Sequence, residues 1–191
     1  MRRTSTMPSA PKPPTTLSSS TVIADNASLS GTHTIKIGSN TAIHPRTKLF
    51  SGNAPITIGN YCILSERSIT GYQSAIPDAE KERGGGGVVI GNGVVIEVGA
   101  VVEAKEVGDG CVIEVNARIG KGAVLGEHCR VSPLCIVAPE EVVPAYTVIY
   151  GDGLRRLDRS GVKGDVKIDM IGRQADVLRR LILSNPAKFQ S

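Results

Sequence analysis

The sequence predicts an all-β solenoid, a parallel β-helix of about six triangular coils with a C-terminal α-helix packed along its flank. Three observations carry this. Aliphatic residues recur every six positions over most of the chain, a second place in the hexads holds almost uniformly small side chains, and large rings are nearly absent. Aromatics make up 3% of the 191 residues and Trp is missing, while 40% of the chain is apolar and 22 residues are Gly. A core that takes β-branched residues but excludes rings is thin and regular, as in a sheet wound on itself.

Residues 1 to 20 are dominated by Pro, Ser and Thr and offer little to bury, so they are expected to form a disordered leader. The repeat is expected over 21–152. It begins with Ile23, Leu29, Ile37, Ile43 and Leu49 and resumes at Ile58 and Leu64 after short insertions. Between Gly71 and Gly87 the register is lost, which predicts a protruding loop over 71–87 with a flexible hinge at Gly84 to Gly87. The longest run then proceeds through Ile90, Ile96, Val102, Val107, Ile113, Ile119, Leu125, Val131, Val137, Val143 and Ile149, with a single five-residue step at Val102 to Val107.

Six is not a helical period, because about 3.6 residues per turn would scatter these side chains around an axis. It suits a short strand plus a corner. Three hexads close a triangle, and each triangle buries its aliphatics only when another stacks roughly 4.8 Å away, so about eighteen hexads give a prism about 30 Å long. Four places after the aliphatic, the interior leaves room for little. That place holds Ala27, Thr41, Thr47, Cys62, Ser68, Val94, Ala100, Cys111, Ala117, Ala123, Cys129, Cys135 and Thr147, with His33 and Glu141 as the exceptions.

Downstream, residues 153–191 are expected to form a turn, an amphipathic helix over about 165–183 and a tail. Ile168, Ile171, Ala175, Leu178 and Ile182 recur at three and four, and Pro186 prevents continuation. Such a helix, roughly 28 Å long, matches the height of the stack.

The charge is +4, from 22 basic and 18 acidic residues, with no basic block interleaved with rings, which argues against a nucleic-acid partner. No apolar run follows Arg2 and Arg3, and none elsewhere approaches membrane-spanning length, so a cytosolic protein without membrane insertion is expected.

The four cysteines are spaced 49, 18 and 6 apart, without the short pairs of structural zinc, and all fall at the small interior place, where a thiol acts as a compact hydrophobe. Hexad solenoids also host acyltransferases and gamma-class carbonic anhydrases, usually trimeric with a zinc or acyl-donor site between subunits. His33, His44 and His128, however, are 11 and 84 apart and occupy different hexad places, so convergence on one ion is not expected. His128 is the best candidate for a catalytic base. Its place in the hexad predicts an outward, solvated ring instead. The strings GNGVVIEVG and GGGG lack the Lys-Ser/Thr and the following helix of a phosphate loop, and positive φ at corners accounts for most glycines. No catalytic, cofactor-binding or metal-binding residue is therefore assigned.

The strings TAIHPRTKLFSGNAPITIGNYCILSE, VVIGNGVVIEVGAVVEAKEVGDGCVIEVNARIGKGAVLG and VVPAYTVIYGDGLRRLD resemble the dynactin subunit 6 family, in order and over about 40 to 160. The resemblance implies a left-handed β-helix and a non-catalytic subunit of the pointed-end complex of dynactin, in the cytoplasm and on the cytoskeleton. Its implied partners are dynactin subunit 5 as a heterodimer, dynactin subunit 4 and the actin-related pointed-end subunit. That complex caps the actin-like filament and supports dynein adaptors and cargo. A trimeric hexapeptide-repeat enzyme is the alternative. An open solenoid end presents unpaired strand groups, which makes Tyr150, Arg155 and Arg156, around the last coil, candidate partner-binding residues.

Overall fold

The fold is seen in a computed structural model, which describes residues 12–71, 87–160 and 164–189. Successive short strands belong to successive sheets, so the chain winds around a triangular prism. The three sheets have seven, eight and six strands. The seven-stranded sheet starts at Thr15–Leu17 and ends at Val142–Val143, the eight-stranded one starts at Val22–Ile23, and the six-stranded one runs from Ser28–Gly31 to Ile136–Val137. Every pairing inside the prism is parallel, and it stacks like on like. Ile37, Ile58, Ile90, Val107, Leu125 and Val143 form one interior column. A second is Ile43, Leu64, Ile96, Ile113, Val131 and Ile149, and the third is Leu49, Thr70, Val102, Ile119 and Val137. Nearly all of these side chains join one continuous core.

All thirteen residues assigned to the small interior place are buried, whereas His33 and Glu141 are only partly so. The corners differ from expectation, because positive φ accounts for only eight of the eighteen described glycines, while nine described non-Gly residues, from Asn40 to Tyr146, adopt φ of 55 to 63°. Many glycines instead stand where coils touch. A Cβ on Gly59 would lie 2.5 Å from the Gly91 carbonyl oxygen, and one on Gly126 2.5 Å from the Ala145 nitrogen. Side chains knit the same corner, as Asn60, Asn92 and Asp109 each accept a backbone N–H from the coil before, at 2.7 to 2.9 Å.

Thr15–Leu17 lies within the segment expected to be a leader. Its one apolar residue gives no hexad signal, but its backbone pairs with Ile35–Ile37 and Leu17 packs on the core. Residues 1–11 of that leader and 72–86 of the expected loop lie outside the described residues.

The flank helix is Gly164–Leu181, against the expected 165–183. It runs back down the prism. Gly164 lies against His128, Ile168 against Gly93 and Gly172 against Tyr61, and Arg179 donates to Asn40 Oδ1 at 2.7 Å. Its inner face, Ile171 and Ala175 with Leu178, covers the outward Ile63 and Val95 of the eight-stranded sheet. The tail then reaches the first coil. Ser184 bridges Ala24 and its hydroxyl accepts the Ile23 N–H at 2.9 Å, a short 3-10 turn follows at Pro186–Lys188, and Phe189 is buried in the solenoid core. The chain thus plugs its own N-terminal end with a ring.

Candidate functional site

Chemistry at the interior place is structural. Cys62, Cys111, Cys129 and Cys135 are free thiols, and each Sγ donates to a backbone carbonyl of the following turn of chain, at 3.1 to 3.3 Å. Thr41 does the same to Gly59 at 3.0 Å and Thr47 to Ser65 at 3.0 Å. Cys and Thr are interchangeable in this role because both are small and carry one donor. Burial pushes the Cys62 thiol up to about 12, and the neighbouring Cys129 thiol together with burial raises Cys111 as well. Cys62 and Cys111 therefore stay protonated at neutral pH, unlike a nucleophile or metal ligand.

The three histidines occupy three different corners of the prism. His33 joins the six- to the seven-stranded sheet, His44 the eight- to the six-stranded, and His128 the seven- to the eight-stranded. Among the described residues, no three His, Cys, Asp or Glu side chains are placed to share a metal ion. His128 departs from the solvated ring expected of it. It is 7% exposed, packs on Tyr146 with ring centroids 5.0 Å apart, and lies between Gly110 and Gly164, where added Cβ atoms would come within 2.3 and 2.1 Å of its ring nitrogens. Its hexad place does face outward; the flank helix, 36 residues further along, covers it.

The two ends of the prism differ. At the C-terminal end the last parallel strand of the eight-stranded sheet, Thr147–Tyr150, is covered by Leu154–Leu157, the sheet's eighth strand, as an antiparallel hairpin. Arg155 and Arg156 therefore sit on a strand, opposite Ile149 and Val148, and Tyr150 opposes Leu154 at the hairpin turn. This hairpin was hidden in the sequence because Leu154–Leu157 has no hexad register and gains strand form only by pairing. Arg155 is held by Glu141 and by the Gly153 carbonyl, whereas Arg156 is exposed and forms no ion pair with a described residue.

The other two sheets end among the described residues at Ile136–Val137 and Val142–Val143, with no further strand beyond them. Apolar side chains surround this end: Leu134 is 72% exposed, Ile136 62% and Val142 71%, with Leu154 and Leu157 also exposed on the hairpin. Sequence reasoning passed over these five. For Leu134, Ile136 and Val142 the available signal was aliphatics at outward hexad places, where earlier coils carry Lys36, Lys48, Glu106 or Arg118 beside Val89, Val101 and Val124, whereas Leu154 and Leu157 lie beyond the hexads.

No protein-family model matches the chain. Curated relatives do. Dynactin subunit 6 of Xenopus tropicalis is 31% identical over 127 residues, covering 64% of this chain and 62% of that protein. Dynactin subunit 6 of Nematostella vectensis is 30% identical over 137 residues, covering 71% of this chain and 73% of that protein. The chain belongs to the dynactin subunit 6 family. A third relative, dynactin subunit 6 of Danio rerio, is 30% identical over 130 residues and is covered to 65% of its length, so the chain spans about two thirds of the family members it matches.

Solved structures place this dynactin subunit 6 relative among hexapeptide-repeat folds. A hexapeptide transferase family protein from Anaplasma phagocytophilum superposes with TM-score 0.69 at 17% identity, covering 89% of this chain and 95% of that one. A Bacillus cereus protein described as an acetyltransferase gives 0.70 at 16%, covering 89% and 97%. At such identities the likeness concerns the fold, a left-handed parallel β-helix, and not the activity.

Proposed function

We propose that this chain is a non-catalytic subunit of dynactin, resident in the cytoplasm on the cytoskeleton. Within dynactin it belongs to the pointed-end complex that caps the actin-like filament and supports dynein adaptors and cargo. Dynactin subunit 5 is its direct partner, with dynactin subunit 4 and the actin-related pointed-end subunit adjacent. The observation that carries this reading is the contrast between the two ends of the prism, read with the family's name. One end is plugged by Phe189, and at the other two sheets end without a further strand among the described residues, ringed by the exposed Leu134, Ile136 and Val142. Unpaired edges and clustered apolar side chains are aggregation-prone unless covered, so a stable cytoplasmic protein carrying them needs a resident partner. Arg156 adds a charge at the margin that an acidic partner residue can meet, and Tyr150 adds an amphipathic ring. Arg155 serves by holding Glu141 and the hairpin in place.

Co-expression with dynactin subunit 5 of the same organism tests this. The expected result is a stable complex that is lost when Ile136→Asp and Val142→Asp are combined and weakened by Arg156→Glu. A chain that associates with none of the pointed-end subunits, or that binds acetyl-CoA or stoichiometric zinc as a trimer, overturns it.

A further inference from the structure

The flank helix buries one face, but it has a second apolar face that no described residue covers. Val166, Met170, Val177 and Leu181 follow one another at four, seven and four residues, so at about 100° per residue they form a single stripe. Met170 is 63% exposed, Val177 59% and Leu181 75%. The stripe is turned about 130° around the helix from the buried Ile171 and Ala175, so it faces solvent to one side of the solenoid.

Charges along one flank of the stripe identify what fits it. Asp169, Arg173, Asp176 and Arg180 are all exposed and alternate in sign. Reversed end to end, this series becomes its own complement. Asp169 falls opposite Arg180 and Arg173 opposite Asp176, both pairs centred midway between residues 174 and 175. The apolar pairs Val166 with Leu181 and Met170 with Val177 are centred one residue away, roughly 1.5 Å along the axis. In an antiparallel helix pair each flank meets the same flank of its partner, so one two-fold axis aligns both the apolar stripe and the charges. A parallel pair would set this flank against the other one, which carries Gln174 and Lys167, and Lys167 is already bound to Asp158 at 2.5 Å.

We infer that a second copy of this chain docks here, flank helix against flank helix, antiparallel, with each solenoid turned away from the contact. Four ion pairs cross the contact. Asp169 also keeps its bond to Arg173 of its own helix, at 2.7 Å, and Asp176 its bond to Arg179, at 2.9 Å, because a carboxylate accepts from two guanidinium groups at once. The charges select the orientation more than they add affinity. Each helix presents a face of only about 27 by 10 Å, below the roughly 800 Å² per partner of a standard interface, so association is expected at tens of micromolar. The contact is separate from the C-terminal end of the prism, so a chain that fails to bind dynactin subunit 5 still forms this dimer.

Sedimentation velocity on the purified full chain, from about 5 to about 500 µM, is expected to show a monomer–dimer equilibrium. The variant Arg173→Asp with Arg180→Asp should weaken it at least tenfold, as should Asp169→Arg with Asp176→Arg, and mixing the two variants should restore it. All four native cysteines are buried, so an introduced thiol is the accessible one among the described residues. Oxidising an equimolar mixture of Met170→Cys and Val177→Cys chains should link them across the contact. Met170→Cys alone should not self-link, since the two copies stand roughly 13 Å apart along the axis, beyond disulfide reach. A monomer throughout, a dimer indifferent to the charge variants, or efficient self-linking of Met170→Cys overturns the inference.

Discussion

Replacing Phe189 by Ala tests whether the tail truly seals the N-terminal end. The ring is buried in the solenoid core, and truncating a core Phe to Ala ordinarily costs about 3–5 kcal/mol. Here the loss has an upper bound, because the tail can detach and leave the coils standing. What holds it is burial of one ring, about 2–3 kcal/mol, plus hydrogen bonds from Ile23 to Ser184 and from Lys188 to the Asp25 carbonyl, about 1 kcal/mol each. Ordering residues 184–189 offsets roughly half of this. The expected effect is therefore local and on the order of 1.5–3 kcal/mol, a ten- to hundredfold loss of amide protection. Native-state hydrogen exchange reads it directly. The first-coil amides Val22, Ala24 and Ser28, bonded to Thr41, Ile43 and Thr47, should exchange faster, while Val112 and Glu114, bonded to Cys129 and Val131, should not change. Unchanged protection in the first coil refutes the plug. A uniform fall in all coils refutes its local character.

Two further outcomes are expected. Thr70 stands in an interior column otherwise filled by aliphatics, and its buried hydroxyl has no hydrogen-bond partner among the described residues, so Thr70→Val should stabilise the protein by about 1 kcal/mol in urea titration. The Lys167 ammonium, followed by the Ser160 backbone N–H, holds the Asp158 carboxyl well below the usual carboxylate range. A depressed folded-state pKa means that the stabilisation is complete above the ordinary Asp value of about 3.9 and is lost as pH falls below it toward the folded value. Asp158→Asn should therefore cost about 1 kcal/mol at pH 7 and progressively less below pH 4, and a pH-independent difference would exclude the pair as its cause.

Much of the prism was legible because its positions repeat. Ile96, Ile113 and Val131 are independent readings of one place, as are Cys111 and Cys129 of another, so each coil confirms the next. Features that occur once had no such support. Phe189 is a lone ring in a polar tail, and only the gap at the first coil gives it a place. Thr15–Leu17 is a strand by virtue of its neighbour's backbone. Arg155 and Arg156 read as turn residues until the antiparallel pairing with Thr147–Tyr150 is seen. For His128 the hexad gave the right direction and the wrong environment, because the covering element belongs to a different periodicity. The apolar rim at Leu134, Ile136 and Val142 was visible residue by residue. Its meaning depended on knowing that those sheets stop there.

The tail that returns to the first coil also orders events during synthesis. A stack of coils can grow as the chain emerges, each new triangle settling on the last. Yet the ring that closes the first triangle lies 166 residues after Ile23, which at about 5–20 residues per second is a delay of roughly 10–30 s. Throughout that interval the oldest coil is the least finished part of the molecule, its apolar mouth open to chaperones and neighbouring nascent chains. Completion waits for a stretch translated after every coil, so a ribosome that stalls between the last coil and residue 189 leaves a solenoid that is wound but unsealed.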